Sequence, residues 1–168
     1  MELLRFRPKS WHQAFLSEKN TLYFYLPQFK MNVEHIGATS VPNCRTFRNV
    51  DILISVPQLE DISTVAMLLA TKGYKVVDDS NYECIVLVKK ATVYGERITV
   101  RVTEYASLIY RRHILFKTYL ENSYDNVQKY NIFRDHLFRE VRGDMKRYNE
   151  AKIEYINNHI DEMFKFVD

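Results

Sequence analysis

Asp51 has the clearest chemical character in the sequence, because it interrupts an otherwise apolar run over residues 50–56. A carboxylate inside a strand must accept hydrogen bonds, hold a cation or face solvent at the sheet end, since burying it alone is costly. Two roles are consistent with its position. Asp51 either contacts a metal ion or nucleotide, as a catalytic and metal-binding residue, or it caps the backbone of a nearby turn.

That turn is a run of small residues, Gly37, Ala38, Thr39 and Ser40, and it begins 14 residues before Asp51. A small-residue turn after a strand exposes backbone N–H groups and hydroxyls that can hold phosphate oxygens. The sequence therefore predicts a phosphate- or nucleotide-binding turn. Because Ser and Thr are also ordinary turn formers, a purely structural turn is the competing interpretation.

Three arginines could line one anion-binding cleft with Asp51: Arg48, Arg97 and Arg101. This requires that the strand beginning at Arg97 lie beside the Asp51 strand. Arg101 alternates with apolar neighbours, so its polar strand face either is open to solvent or lines a cleft. Glu104, at the end of the same strand, is a candidate metal ligand, and solvent exposure there is the alternative.

Periodicity divides the chain into an α/β half, residues 1–104, and a helical half, residues 105–168. In the first half, a helix capped by Ser10 and a helix over 59–72 accompany strands over 33–36, 50–56, 74–77, 83–88 and 97–102, with an acidic hairpin turn over 78–81. Three helices follow, over 108–120, 123–141 and 144–163, with Ser123 and Asp144 as N-caps of the last two. We expect one α+β domain, residues 1–168, with a mixed sheet, flanking helices and a C-terminal three-helix layer.

The amino-acid composition argues against several classes of function. The 168 residues suit one domain, and a net charge of +3 from 24 basic and 21 acidic residues indicates no strongly basic face, so nucleic acid is not the expected partner. Two isolated cysteines provide neither a disulfide framework nor a zinc site. No apolar run approaches the roughly 20 residues that cross a membrane. We therefore expect a soluble, reduced, cytoplasmic protein without a membrane partner.

Residues 33–51 resemble the motif of the GrpB family, which reads approximately V-E-H-I-G-S-T-S-V-P followed by I-I-D. Ala38 stands where the family usually has Ser. The likeness extends to Trp11 and Phe15 near the start, to residues 112–120, and to Lys146, Tyr148 and Lys152 near the end. The matching positions of the central motif are Val33, Glu34, His35, Ile36, Gly37, Thr39, Ser40, Val41, Pro42 and Asp51.

The resemblance implies a nucleotidyltransferase-like fold, in which the glycine turn holds a triphosphate and strand carboxylates hold Mg²⁺. The chain also departs from that pattern. Leu53 replaces the second carboxylate of the D-x-D/E pair, which period-2 geometry would place beside the first. Phe47 and Arg48 replace a Lys-Pro pair, and Thr99 and Arg101 replace an H-x-H pair.

Three functions are compatible with these residues. The first is Mg²⁺-dependent transfer of a nucleotidyl or phosphoryl group, with Asp51 and Glu104 on the metal. The second is a catalytically degenerate protein that binds a nucleotide or another phosphorylated small molecule without turning it over. The third is a scaffold for a protein partner.

Overall fold

The structure is a computed structural model that describes residues 8–90, 97–159 and 163–164. In these residues, two helices and five strands come first and three helices follow. A short 3-10 turn, Ala38–Ser40, follows the first strand. In chain order the elements are α1 (Pro8–Tyr25), β1 (Asn32–Ile36), β2 (Asn49–Val56), α2 (Glu60–Thr71), β3 (Lys75–Asn81), β4 (Cys84–Lys89), β5 (Arg97–Glu104), α3 (Leu108–Glu121), α4 (Tyr124–Glu140) and α5 (Met145–Asn158).

The strands form one mixed sheet in the order β1-β2-β5-β4-β3. β2 and β5 run parallel, and the other neighbouring strands are antiparallel. A parallel pair needs a crossover connection, which α2 and the β3–β4 hairpin supply here. The predicted α+β class with a mixed sheet is confirmed.

The strands β2 and β5 present different side chains to the two faces of the sheet. On one face, alternate apolar residues pack against α1 and α2 in a core that includes Trp11, Phe15, Val50, Ile52, Ile54, Ile62, Leu69, Ile98, Val100 and Val102. The residues between them point to the other face. That second face carries Asn49, Asp51 and Leu53 from β2 and Arg97, Thr99 and Arg101 from β5.

The C-terminal helices begin where the sequence predicts. Ser123 Oγ accepts a hydrogen bond from the Asp125 amide, and the Asp144 side chain accepts two from the next turn of α5. Both side chains therefore satisfy amides that the first turn of a helix leaves unpaired. No helix among residues 8–90, 97–159 and 163–164 is long and apolar enough to cross a bilayer.

Some predicted boundaries are wrong. Ser10 lies inside α1, because the helix already includes Pro8, a residue favoured in the first turn. β3 continues through the predicted turn to Asn81, and the chain reverses at residues 82–83. The polar segment bulges within the strand, where Asp78 accepts hydrogen bonds from the amide and hydroxyl of Ser80. Ile160, expected in the last helix, lies outside the described residues.

Gly37 joins β1 to the 3-10 turn and lies directly against Asp51. Its backbone has φ 71° and ψ −170°, a region that essentially only glycine occupies. A Cβ atom built at this position would lie 3.1 Å from Asp51 Oδ2. The close approach follows from the register of β1 and β2, which pairs Ile36 with Asp51.

We expect Gly37→Ala to lower the free energy of unfolding by about 2 to 3 kcal/mol, because the new Cβ combines an unfavourable backbone region with a close contact. Gly73→Ala is the matched control, since Gly73 also has a positive φ, 88°, but nothing lies within 4 Å of its Cβ position. The control should lose only about 1 kcal/mol. Urea denaturation measures both variants, and equal losses would contradict the predicted contact with Asp51.

Candidate anion-binding site

A cavity of about 440 Å³ lies between the polar face of the sheet and the C-terminal helices. β2, β5 and the turn after β1 contribute one part of its lining, and α3, α4 and α5 contribute the facing side chains. Small-molecule sites in proteins commonly have volumes of about 300 to 1,000 Å³. The cavity is therefore large enough for a metabolite-sized ligand.

Positive charge dominates this cavity. Five basic side chains line it, and Asp51 is the only acidic residue among the described residues of the lining, which leaves an excess of four positive charges when all are ionised. A surplus of one sign in a semi-enclosed space attracts ligands of the other sign. The basic side chains are Arg48, Arg97, Arg101, Arg134 and Lys152.

The single carboxylate is already paired. Arg101 Nη1 donates a hydrogen bond to Asp51 Oδ1 at 2.9 Å. The register of β2 and β5 pairs Asp51 with Thr99 and Leu53 with Arg101, so the guanidinium reaches Asp51 diagonally across the two strands. Both side chains are about one quarter exposed, which leaves the pair accessible from the cavity.

Asp51 stays ionised because of its cationic neighbours. Burial alone would raise the pKa of Asp51, but the charges of Arg101 and Lys152 and hydrogen bonds from Arg101 and Asn49 hold it below its ordinary value. The folded protein therefore keeps one negative charge in the middle of the basic lining.

The pKa values of Lys152 and His113 are lowered as well, and for these bases a lower pKa favours the neutral form. Burial lowers the pKa of Lys152 to about 8, with Asp51 opposing the shift and Arg101 and Arg134 adding to it. Burial and the charge of Arg101 lower the pKa of His113 to about 3, so its ring is neutral at physiological pH. An anion bound in the cavity would favour the charged form of both side chains.

Arg134 is held more rigidly than the other basic residues. It is only 4% exposed, and its guanidinium lies 5.4 Å from the ring centroids of both Phe47 and Tyr130. Its Nε donates to the Tyr148 hydroxyl at 2.6 Å, and its Nη1 donates to the Arg45 carbonyl. These contacts fix one positive charge at the wall of the cavity.

The predicted phosphate-binding turn contributes only partly. Gly37 and Ala38 line the cavity. The Thr39 hydroxyl is buried and lies 3.0 Å from His35 Nε2, and Ser40 donates its hydroxyl to the Gly37 carbonyl at 2.7 Å. Neither Thr39 nor Ser40 lines the cavity, and their hydroxyls are engaged by His35 of β1 and by the Gly37 carbonyl.

Glu104 does not reach Asp51. It pairs with Val56, five residues along β5 from the Thr99 position that faces Asp51, which places it on the order of 16 Å away. The odd spacing also points it to the opposite face of the sheet. The two carboxylates that the sequence assigned to one metal site are thus separated.

The residues beside Asp51 do not fit a magnesium site. Mg²⁺ requires oxygen ligands in near-octahedral geometry. Leu53, where the second carboxylate would stand, is fully buried, and its strand neighbour Arg101 directs a positive charge at Asp51. In the part of the chain that the structure describes, no group of three or more His, Cys, Asp or Glu residues could hold a metal ion.

Arg134, Lys152 and His113 also line the cavity, although the sequence alone did not mark them as site residues. A signal for Lys152 exists in the spacing of α5, where Met145, Tyr148, Asn149, Lys152 and Ile156 repeat at three or four residues and all line the cavity. Nothing local marks Arg134, because its position depends on how α4 packs against the sheet.

Comparison with known proteins identifies relatives of this chain. The family model described as GrpB protein matches residues 2–162. The UPF0157 protein YqkA of Bacillus subtilis is 25% identical over 158 residues, covering 93% of this chain and 45% of the relative. The glutamate-rich protein GrpB of Alkalihalophilus pseudofirmus is 22% identical, covering 92% of this chain and 91% of the relative. This chain spans only 45% of the B. subtilis protein and 61% of a Pseudomonas aeruginosa UPF0157 protein.

Solved structures agree with this assignment. The crystal structure of the conserved protein GrpB from Enterococcus faecalis superposes with a TM-score of 0.81 at 22% identity, over 99% of this chain and all of that one. A structure of the GLD-2/RNP-8 complex superposes with a TM-score of 0.50 at 15% identity, over 70% of this chain and 47% of the other. At this level of identity the likeness shows a shared fold. With the family model spanning nearly all of its residues, the chain belongs to the GrpB family.

Proposed function

We propose that the protein binds a phosphorylated small molecule, such as a nucleotide, in the basic cavity, and that basic side chains neutralise the phosphates in place of a divalent cation. The observation that carries this proposal is the Arg101–Asp51 ion pair within a lining of five basic side chains. A metal-dependent transferase needs a second oxygen ligand beside Asp51, and a guanidinium stands there instead.

Phosphate is the anion that matches these side chains best. A planar guanidinium forms two parallel hydrogen bonds to phosphate oxygens, and arginine remains charged at any physiological pH. Arg97 and Arg101 lie on the same face of β5, four residues apart, and Arg48, whose carbonyl accepts a hydrogen bond from the Arg97 amide, lies immediately before β2. Several phosphate oxygens can therefore be bound from neighbouring positions.

In this proposal Asp51 acts as an internal counter-charge. It neutralises Arg101 in the ligand-free protein, and an incoming phosphate competes with it for the same guanidinium. Asp51 then weakens anion binding and keeps an otherwise repulsive cluster of cations folded. A carboxylate that held a catalytic metal would have the opposite effect on binding.

Thermal unfolding with ATP, ADP or pyrophosphate, each in EDTA or in excess MgCl₂, tests the proposal. A ligand at 100 times its dissociation constant should add about 2.7 kcal/mol, which raises the melting temperature by about 5 to 10 °C. We expect this shift in EDTA and a smaller one with Mg²⁺, because the metal neutralises the phosphates that the arginines would bind. A shift that appears only with Mg²⁺ would support the metal-dependent transferase instead.

We expect Asp51→Asn to tighten ADP binding about tenfold in EDTA, because Arg101 loses its competing partner. Glu104→Gln is the matched control, since it also removes one carboxylate but lies at the far end of β5. Its affinity should equal that of the wild type. Isothermal titration calorimetry measures both, and loss of binding in Asp51→Asn would contradict the assigned role.

We expect Lys152→Met to raise the free energy of unfolding and to weaken the binding of ADP. The pKa of Lys152 is about 8 in the folded protein and about 10.4 in the unfolded chain. The charged amine therefore destabilises the folded protein fully below pH 8. This penalty disappears as the pH rises from 8 to 10.4. We expect the variant to be about 1 to 3 kcal/mol more stable at pH 7 and no more stable than wild type above pH 10.4.

The same variant should bind ADP about tenfold more weakly at pH 7, because one cation has left the cavity. Lys146→Met, an exposed position on the same helix, should change neither property. Urea denaturation over the pH range and calorimetry test these expectations. A stability gain that is constant with pH would contradict the depressed pKa of Lys152.

A further inference from the structure

One wall of the cavity is apolar and belongs to the β3–β4 hairpin. Val77, Val86 and Val88, here called the valine platform, line the cavity, and Val77 is 49% exposed. None of the three belongs to a hydrophobic core cluster formed by residues that the structure describes. Apolar side chains left open beside a few convergent polar groups are typical of a ligand-contact surface.

The valine platform lies beside the arginines on the same sheet face. Val86 pairs with Arg101 and Val88 pairs with Thr99 across the β4–β5 ladder. Neighbouring strands are about 4.8 Å apart, so the platform begins one strand away from the guanidinium and extends to β3. A ligand whose phosphates contact Arg101 would therefore lay its organic part on these valines.

We propose that the valine platform binds the flat or apolar organic part of the ligand, so that the ligand is a phosphate ester carrying such a group, as a nucleotide carries its base. This inference rests on the proposed function, because the basic side chains must hold the phosphates first. It distinguishes the ligand from a sugar phosphate or inorganic polyphosphate, whose polar surface gains nothing from contact with valine.

Two of the aromatic residues that line the cavity, Tyr130 and Tyr148, do not offer the same surface. Tyr130 and Tyr148 are 2% and 1% exposed and pack around the Arg134 guanidinium. A base could stack on them only by displacing that packing. The valine platform needs no such rearrangement.

Calorimetry with ADP and pyrophosphate, in EDTA, separates the two halves of the ligand. Both carry two linked phosphates, and only ADP carries an adenosine group. We expect wild-type protein to bind ADP about tenfold more tightly than pyrophosphate, which is the factor expected for burying roughly one apolar side chain's worth of surface. Val77→Ser/Val86→Ser should lose this advantage and keep its affinity for pyrophosphate.

Val76→Ser is the matched control. Val76 lies on the same edge strand and is also partly exposed, but it pairs with Leu87 of the opposite face and does not line the cavity. This variant should retain the preference for ADP. Circular dichroism melts of all the variants establish that each one is folded at the temperature of the titration.

The outcomes are distinguishable. Failure to bind either ligand would overturn the proposed function, whereas equal binding of ADP and pyrophosphate would overturn only the role of the valine platform. If Val76→Ser lost the preference for ADP to the same extent, the effect would belong to the edge strand as a whole. That result would also overturn the role of the valine platform. Sedimentation that shows a dimer lost in Val77→Ser/Val86→Ser would assign the platform to a second copy of the chain.

Discussion

The ion pair between Arg101 and Asp51 is the interaction on which the arrangement of the site depends. It forms because β2 and β5 lie side by side in parallel, and this pairing sets Arg101 one diagonal step from Asp51. The same carboxylate fills the space that a side chain at position 37 would occupy, which ties the glycine turn to the centre of the sheet. The glycine turn and the charge of the sheet face thus meet at one carboxylate, through its two oxygen atoms.

The positive charges that could bind a ligand in the cavity also lower the free energy of unfolding. A buried lysine and a buried arginine beside other cations cost the folded state free energy, and the protein limits this cost by partial pairing and by aromatic contacts around Arg134. Hydrophobic packing on the other sheet face, where α1 and α2 cover an apolar core, supports the strands that carry these charges.

Much of the fold could be predicted from the sequence, because the spacing of apolar residues reports which side of an element is buried. The alternation in β5 correctly placed Arg101 on a polar face, and the helical repeats located α3 to α5. The neighbours of each element could not be predicted in this way, since periodicity carries no information on strand order. Asp51 was identified from its apolar surroundings, whereas its pairing with Arg101 and the distance to Glu104 follow from register alone. Arg134 was missed because its role depends on long-range packing.

The segment before β2 is fastened to α4 at one end and to the sheet at the other, where the Arg97 amide of β5 donates a hydrogen bond to the Arg48 carbonyl. Asn131 accepts a hydrogen bond from the Arg45 amide and donates one to the Asn43 carbonyl, and Arg134 donates to the Arg45 carbonyl one turn later. Arg48 lies three residues farther along the chain, at the edge of the cavity. Its position is therefore set by the sheet, through the Arg97 amide, and by the helix, through the bonds to Asn43 and Arg45. This short segment thus joins the helical wall of the cavity to its sheet wall, and the placement of one cation depends on both walls.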